Sequence, residues 1–241
     1  MRGQIGELSY ELTIKARLRN INLRVRSDGS VHVSAPRGVD RRRIDAFLLQ
    51  KYDWILRAQA RAGQRSAARR TLCGEEGETF PLLGAPVTLR FAAGRRTDAP
   101  PAGGVWTLHV RDPEDAACRR RALASHLTRF AQRVFARRLE TVYASFAAYR
   151  IPYPTLVVRQ MTARYGSCNA HKGVITLSRT LVHAPVSLID FILAHECAHL
   201  VECNHAPAFY RVLASVMPDH AARRDALRAL VLPVLETLPD A

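Results

Sequence analysis

The chain has 241 residues, 48% of them hydrophobic, which is enough for a packed core and argues against a disordered chain. It carries 36 Lys and Arg against 21 Asp and Glu, a formal charge of +15, and no run of roughly 18 apolar residues that would span a membrane. The N-terminus lacks a signal-peptide apolar core, and the five cysteines have no regular spacing, so a cytoplasmic protein with reduced thiols and no membrane partner is expected.

The N-terminal region reads as strands. Leu8, Tyr10, Leu12 and Ile14 alternate with polar residues, the period of a half-buried strand. Ile21, Leu23 and Val25 alternate likewise. Ser27, Asp28, Gly29 and Ser30 supply turn chemistry, and Val31, Val33 and Ala35 resume the alternation, so a hairpin is predicted. Pro36, Arg37 and Gly38 end it. Asp40 suits a helix N-cap, because its carboxylate accepts from N–H groups one turn on. A helical apolar stripe follows at Ile44, Phe47, Leu48, Tyr52, Ile55 and Leu56. Arg57 to Arg70, basic and without a stripe, is expected to be the solvated helix end and a linker.

Residues 79–91 predict a second hairpin with Gly84 and Ala85 near its turn. Arg95 to Gly104 reads as a loop, and Val105 to Val110 as a short strand. From Pro113 to Tyr149 the period is helical, carried by Leu123, Leu127, Phe130, Val134, Leu139, Val142 and Phe146. Pro152 and Pro154 stop it. Strands are predicted at Leu156–Val158 and Val174–Leu177, the latter after a turn over Asn169 to Gly173. Helices are predicted at Pro185–Leu200, Pro207–Val216 and Asp219–Leu232. The fold class is α+β: a β-rich basic region over residues 1–112, then a helix–strand–helix core over residues 113–241 that carries the chemistry.

The charge is uneven. Residues 151–241 hold eight basic and seven acidic side chains, which leaves a net of +14 in residues 1–150. Such a field attracts phosphate backbones, so non-specific nucleic-acid binding by the N-terminal region is one expectation. A merely solvated surface is the other.

The chemistry concentrates in His195, Glu196, Cys197, Ala198 and His199, an HExxH pattern inside a predicted helix. Residues four apart share a helix face, so His195 and His199 can reach one ion. Zinc accepts neutral imidazole nitrogens, and Glu196 is placed to take a proton from its water. A catalytic zinc needs a third protein ligand and one open position. His205 is the best candidate. Its spacing matches the metzincin distance, but Glu202 stands where a metzincin has glycine, which argues against that group. Cys203 and Glu202 are rival ligands, with Glu202 alternatively supporting an imidazole N–H. Cys197 points elsewhere on the helix and is expected in the core. The other histidines have no such grouping. Val174–Leu177 is either an edge strand for an extended peptide or an ordinary core strand, and Tyr165, Arg164 and Tyr210 either stabilise an oxyanion or have structural roles.

Around these residues the chain resembles a known family. Arg159, then Arg164, Tyr165, Gly166, Ser167 and Cys168, resembles the Arg-x(4)-Arg-Trp-Gly-Ser-Cys signature of the YgjP-like metallopeptidases. The strand Val174–Leu177, Ala184-Pro185, the HExxHL of His195 to Leu200, Asn204-His205 with Phe209, and Met217-Pro218-Asp219 follow in that family's order. Leu23 to Val25, Asp28-Gly29 and Lys51 to Ile55 resemble its N-terminal half. Tyr165 departs from the usual tryptophan. The resemblance implies a compact zincin core of minigluzincin type, with His195, His199 and His205 on Zn(2+), Glu196 as general base, and a peptide or protein substrate. Folds related to that family include the SprT-like and WLM proteases, which act on DNA-bound proteins. Two alternatives therefore stand beside a zinc peptidase: a nucleic-acid-associated protein with a structural zinc, and a protease acting on DNA-bound proteins.

Overall fold

The computed structural model describes residues 1–26, 28–68, 71–95, 99–161 and 164–235. Ser27 of the predicted turn, Arg69 and Arg70 of the predicted linker, residues 96–98 of the predicted loop, and Thr162 and Ala163 of the signature lie outside them. The chain divides into two compact units, Met1–Arg69 and Arg70–Ala241. The boundary expected after residue 112 falls inside the second unit.

The first unit is a four-stranded sheet covered on one face by helices. Strands β1 (Arg2–Ile5), β2 (Leu8–Lys15), β3 (Asn22–Val25) and β4 (Val31–Pro36) lie in the order β1-β2-β4-β3. β3 and β4 form the predicted antiparallel hairpin, β1 joins β2 antiparallel, and β2 runs parallel to β4. The alternation seen in the sequence puts Leu8, Tyr10, Leu12, Val31, Val33 and Ala35 on the buried face. There they meet Ile44, Leu48 and Ile55. Helix α1 (Arg41–Gln50) starts as predicted, with the Asp40 carboxylate accepting from the Arg42 N–H at 3.0 Å. The apolar stripe, however, spans two helices. Lys51 leaves helical geometry (φ −102°, ψ 6°), its N–H reaching back to the carbonyls of Phe47 and Leu48, and helix α2 (Tyr52–Ala68) follows. The helix therefore runs on through most of the expected linker.

The second unit opens with the short strand β5 (Thr71–Leu72) and the predicted hairpin of β6 (Thr79–Leu82) and β7 (Ala85–Ala93). Leu83 and Gly84, both at positive φ (53° and 84°), make the turn. The turn is pinned: the Leu83 N–H donates to the Val182 carbonyl at 2.8 Å, and a Cβ on Gly84 would lie 3.0 Å from Pro185. Strand β8 (Val105–Val110) pairs parallel with β7. Helix α3 (Ala116–Ala144) buries Leu123, Leu127, Phe130, Phe135, Leu139 and Val142, and packs against β8 and against helix α4 (Val186–Ala198). The β6–β8 sheet thus shares one continuous core with the helices, which is why it belongs to this unit.

Strands β9 (Thr155–Arg159), β10 (Gly166–Asn169) and β11 (Val174–Ser178) form a sheet in the order β10-β11-β9. Of the two readings of Val174–Leu177, edge strand and core strand, the structure bears out the core strand. It is central, antiparallel to β10 and parallel to β9, and both its edges are occupied. α4 starts at the predicted proline, with Pro185 as its N-cap residue. Leu188, Ile189, Phe191, Ile192, Leu193, Ala194, Cys197 and Ala198 are all buried on it, the mark of a helix held from several sides. The Arg138 guanidinium grips the Asp190 carboxylate with two hydrogen bonds of 2.8 Å and ties α3 to α4. Helix α5 (Pro207–Val216) matches its predicted range. Helix α6 (His220–Ala229) ends earlier than expected, and β12 (Val234–Leu235) pairs with β5. Among the described residues no helix is long and apolar enough to cross a membrane.

Candidate metal centre

α4 brings the first two histidines together by periodicity alone. His195 lies in its last turn and His199 is its C-cap residue, still in right-handed helical geometry, and their ring centroids are 5.0 Å apart. The chain then leaves the helix: the Glu202 N–H donates to the Ala198 carbonyl at 2.9 Å, and five residues later Pro207 opens α5. Proline suits a first helical turn, where its missing N–H has no partner to lose. The intervening turn returns His205 to the helix end. Its ring centroid lies 5.0 Å from that of His195 and 4.6 Å from that of His199.

The nitrogens converge with the rings. The Nε2 atoms of His195 and His205 are 3.0 Å apart, and one nitrogen from each of the three rings lies within 4.8 Å of the others. Two imidazole nitrogens sharing a tetrahedral zinc at about 2.0–2.1 Å would be separated by about 3.4 Å, so the trio fits a single divalent ion. Tautomers fit too. His199 Nδ1 donates to the Glu202 carbonyl at 3.2 Å, which leaves Nε2 with its lone pair. Glu202 therefore supports a ring, as one reading expected, but through its backbone oxygen. Burial pushes the His195 imidazole down to about 4, and the neighbouring His199 and His205 add to this. His199 is lowered as well, chiefly by burial. Neutral imidazole is the form that binds a metal.

Sequence reasoning did not foresee the floor of the site. Phe209, fully buried on α5, lies beneath all three rings, with centroid distances of 4.9, 4.5 and 4.8 Å to His195, His199 and His205. The available signal was an aromatic residue four positions beyond the third histidine.

Glu196 points away from bulk water and is 5% exposed. Burial raises its carboxyl to about 7, against the opposing pull of Arg164. β10 packs on α4 beside it. A Cβ on Gly166 would stand 2.5 Å from Glu196 Oε1 and 2.8 Å from Ile192 Cγ2, so only glycine leaves the carboxylate its room.

The remaining candidates separate clearly. Cys197 is buried in the core, as expected, and Cys203 is exposed. Among the described residues the group able to hold a metal consists of His195, His199 and His205, without either cysteine or the Glu202 carboxylate. Tyr165 is half-buried against the core, and its carbonyl accepts from the Ser178 N–H at 2.8 Å. Tyr210 is 41% exposed, its ring centroid 6.4 Å from that of His205. Of the other histidines, His183 is buried and donates from Nδ1 to the Pro81 carbonyl at 2.7 Å.

The family model described as YgjP-like, metallopeptidase domain, matches residues 19–230. No curated protein matches the chain. A solved structure, the metallopeptidase zymogen of Pyrococcus abyssi abylysin, is similar at 23% identity, covering 39% of this chain and 90% of its own, with a TM-score of 0.35.

Proposed function

The chain belongs to the YgjP-like metallopeptidase family and is a metal-dependent peptidase, and from that premise we propose that its metal is zinc, held by His195, His199 and His205, with Glu196 as the general base. The observation that carries this reading is the convergence of three imidazole nitrogens within 4.8 Å at the end of α4, next in sequence to a buried carboxylate. A donor set of three histidines is the composition of a catalytic zinc; a structural zinc generally has four protein ligands. That favours the peptidase over a binding protein with a structural metal.

Bound there, zinc would supply Lewis acidity, which polarises a carbonyl and makes water more acidic. The protein's own groups do the rest. Glu196 takes the proton of the attacking water and passes it to the leaving amine nitrogen as the peptide bond breaks. A carboxyl raised to about 7 exchanges that proton readily near neutral pH. With β11 enclosed, the substrate main chain pairs instead along the outer side of β10, which no strand among the described residues occupies and whose Gly166 adjoins Glu196. Tyr210, exposed beside His205, is the candidate donor to the developing oxyanion.

The test pairs metal analysis with an unbiased peptide-cleavage assay on the wild type and on Glu196→Gln. We expect about one zinc per chain in both, and turnover reduced by about 10²–10⁴-fold in the variant. A Glu196→Gln protein that cleaves at the wild-type rate removes the assigned base. A wild type that binds no zinc removes the metal.

A further inference from the structure

The first compact unit holds 15 Lys and Arg and 6 Asp and Glu, a net of +9 in residues 1–69. Its topology gathers much of that charge at one end of the sheet. β2 and β4 are parallel and finish side by side, with Lys15 opposite Pro36. β3, antiparallel to β4, begins at the same end, with Asn22 opposite Ser34. The β2–β3 connection, bearing Arg17 and Arg19, and the β4–α1 connection, bearing Arg37, therefore emerge together. The first turn of α1 adds Arg41, Arg42 and Arg43 beside them.

All seven of these cations are exposed. Among the described residues only Arg41 makes an ion pair, a long one of 3.9 Å to Asp45. Acidic groups do little to offset the cluster. Asp40 is engaged in capping α1, and Asp45 also accepts from the Tyr10 hydroxyl at 3.2 Å. The opposite end of the sheet has Glu7 and Asp28 in its turns against the single cation Arg26. The uncovered face next to the cluster carries Thr13, Ser34 and Asn22 in one cross-strand row, all neutral hydrogen-bonding side chains.

We propose that this sheet end is a nucleic-acid-binding surface that grips the sugar–phosphate backbone without reading sequence. Six of the seven cations are arginines, whose planar guanidinium matches two phosphate oxygens at once. The three neighbouring strands β2, β4 and β3, about 4.8 Å apart, span about 10 Å, and a duplex carries one phosphate per roughly 1.7 Å of axis with both strands counted, so about six charges lie along that length for the seven cations. An anionic membrane surface is the weaker match, because among the described residues the large apolar side chains exposed near this end are Met1 and Ile14, too few to form an amphipathic apolar face. The inference is independent of the peptidase reading.

The test is fluorescence anisotropy of the full-length protein with a labelled 20-nucleotide single strand and a 20-base-pair duplex, between 50 and 200 mM NaCl. With six unpaired cations engaged, log Kd should change with log salt at a slope of about 4 to 5, a loss of roughly 10²–10³-fold across that range. The variant Arg17→Gln/Arg19→Gln/Arg37→Gln/Arg42→Gln should reduce that slope by about 3 while leaving peptide cleavage and the circular-dichroism spectrum unchanged. A control carrying Arg111→Gln, Arg137→Gln, Arg150→Gln and Lys172→Gln, all exposed in the second unit, should retain the wild-type slope. Comparing single strand with duplex assigns the preferred form. The proposal is overturned if the control loses as much as the cluster variant, or if neither nucleic acid binds at 50 mM NaCl. It is overturned equally if phosphatidylserine vesicles capture the protein through the same four arginines while nucleic acid does not.

Discussion

Gly166→Ala tests the site at its tightest point. A Cβ at this position stands 2.5 Å from Glu196 Oε1, 3.0 Å from Glu196 Cδ and 2.8 Å from Ile192 Cγ2, whereas ordinary contact begins near 3.4 Å. Either β10 or the carboxylate must therefore retreat by about 1 Å. The backbone at Gly166 is ordinary extended strand, so the cost is one of space rather than of conformation. Overpacking of this kind costs about 1–3 kcal/mol of stability, measurable by urea titration. The larger effect should fall on turnover, because a misplacement of about 1 Å in a reacting group costs on the order of 10²-fold. The histidines lie outside the clash, so zinc content should remain near the wild-type value. The decisive assay is kcat on a cleaved peptide beside metal analysis of the same preparation. Wild-type kcat in Gly166→Ala would refute the reasoning. So would a variant that is inactive because it has lost its metal, since the disturbance would then lie at the ligands and not at Glu196.

Two further expectations follow from buried neighbours. Phe209→Leu removes the ring beneath the three imidazoles and should weaken zinc binding by about tenfold or more, read by chelator competition; unchanged affinity would leave Phe209 an ordinary core residue. His183 is held neutral by burial, its imidazole lowered from 6.5 to about 4. Above pH 6.5 both folded and unfolded chains carry it uncharged; as pH falls from 6.5 towards 4 only the unfolded chain gains the proton, so stability drops by about 2–3 kcal/mol by pH 4.5. His183→Gln should flatten that part of the pH–stability curve relative to wild type in chelator-treated protein, and parallel curves would show that His183 does not titrate this way.

The parts of the fold that could be read in advance are those where one side-chain period dominates. The alternation of β2 and β4 and the long stripe of α3 announce themselves because each element has one buried face. β10 was missed for the opposite reason. Gly166, Ser167, Cys168 and Asn169 lack β-branched and aromatic residues, and the segment is a strand because β11 pairs with it. That the sequence left Val174–Leu177 open between edge and core has the same root: a strand's own sequence does not name its neighbours. The break at Lys51 was hidden because Phe47, Leu48, Tyr52 and Ile55 keep helical spacing across it. The domain boundary depended on partners too, since β6–β8 look like more of the N-terminal sheet until their apolar faces are found against α3.

The metal centre divides along the same line. His195 and His199 owe their juxtaposition to helical pitch, and α4 is immobilised by burial on several sides and by the Arg138–Asp190 pair. Their geometry is therefore written locally, and a five-residue pattern suffices to find it. His205 has no such support. It is exposed, sits in a turn, and reaches the other two rings only because α5 docks with Phe209 underneath them. The same turn supplies the Glu202 carbonyl that orients His199. Two of the three proposed ligands thus come with the helix, while the third and the orientation of the second depend on a tertiary contact. It follows that substitutions along α5 should act on metal affinity, whereas substitutions on β10 next to Glu196 should act on turnover. The HExxH pentapeptide alone reveals neither dependence, because both arise from residues distant in sequence that pack against it.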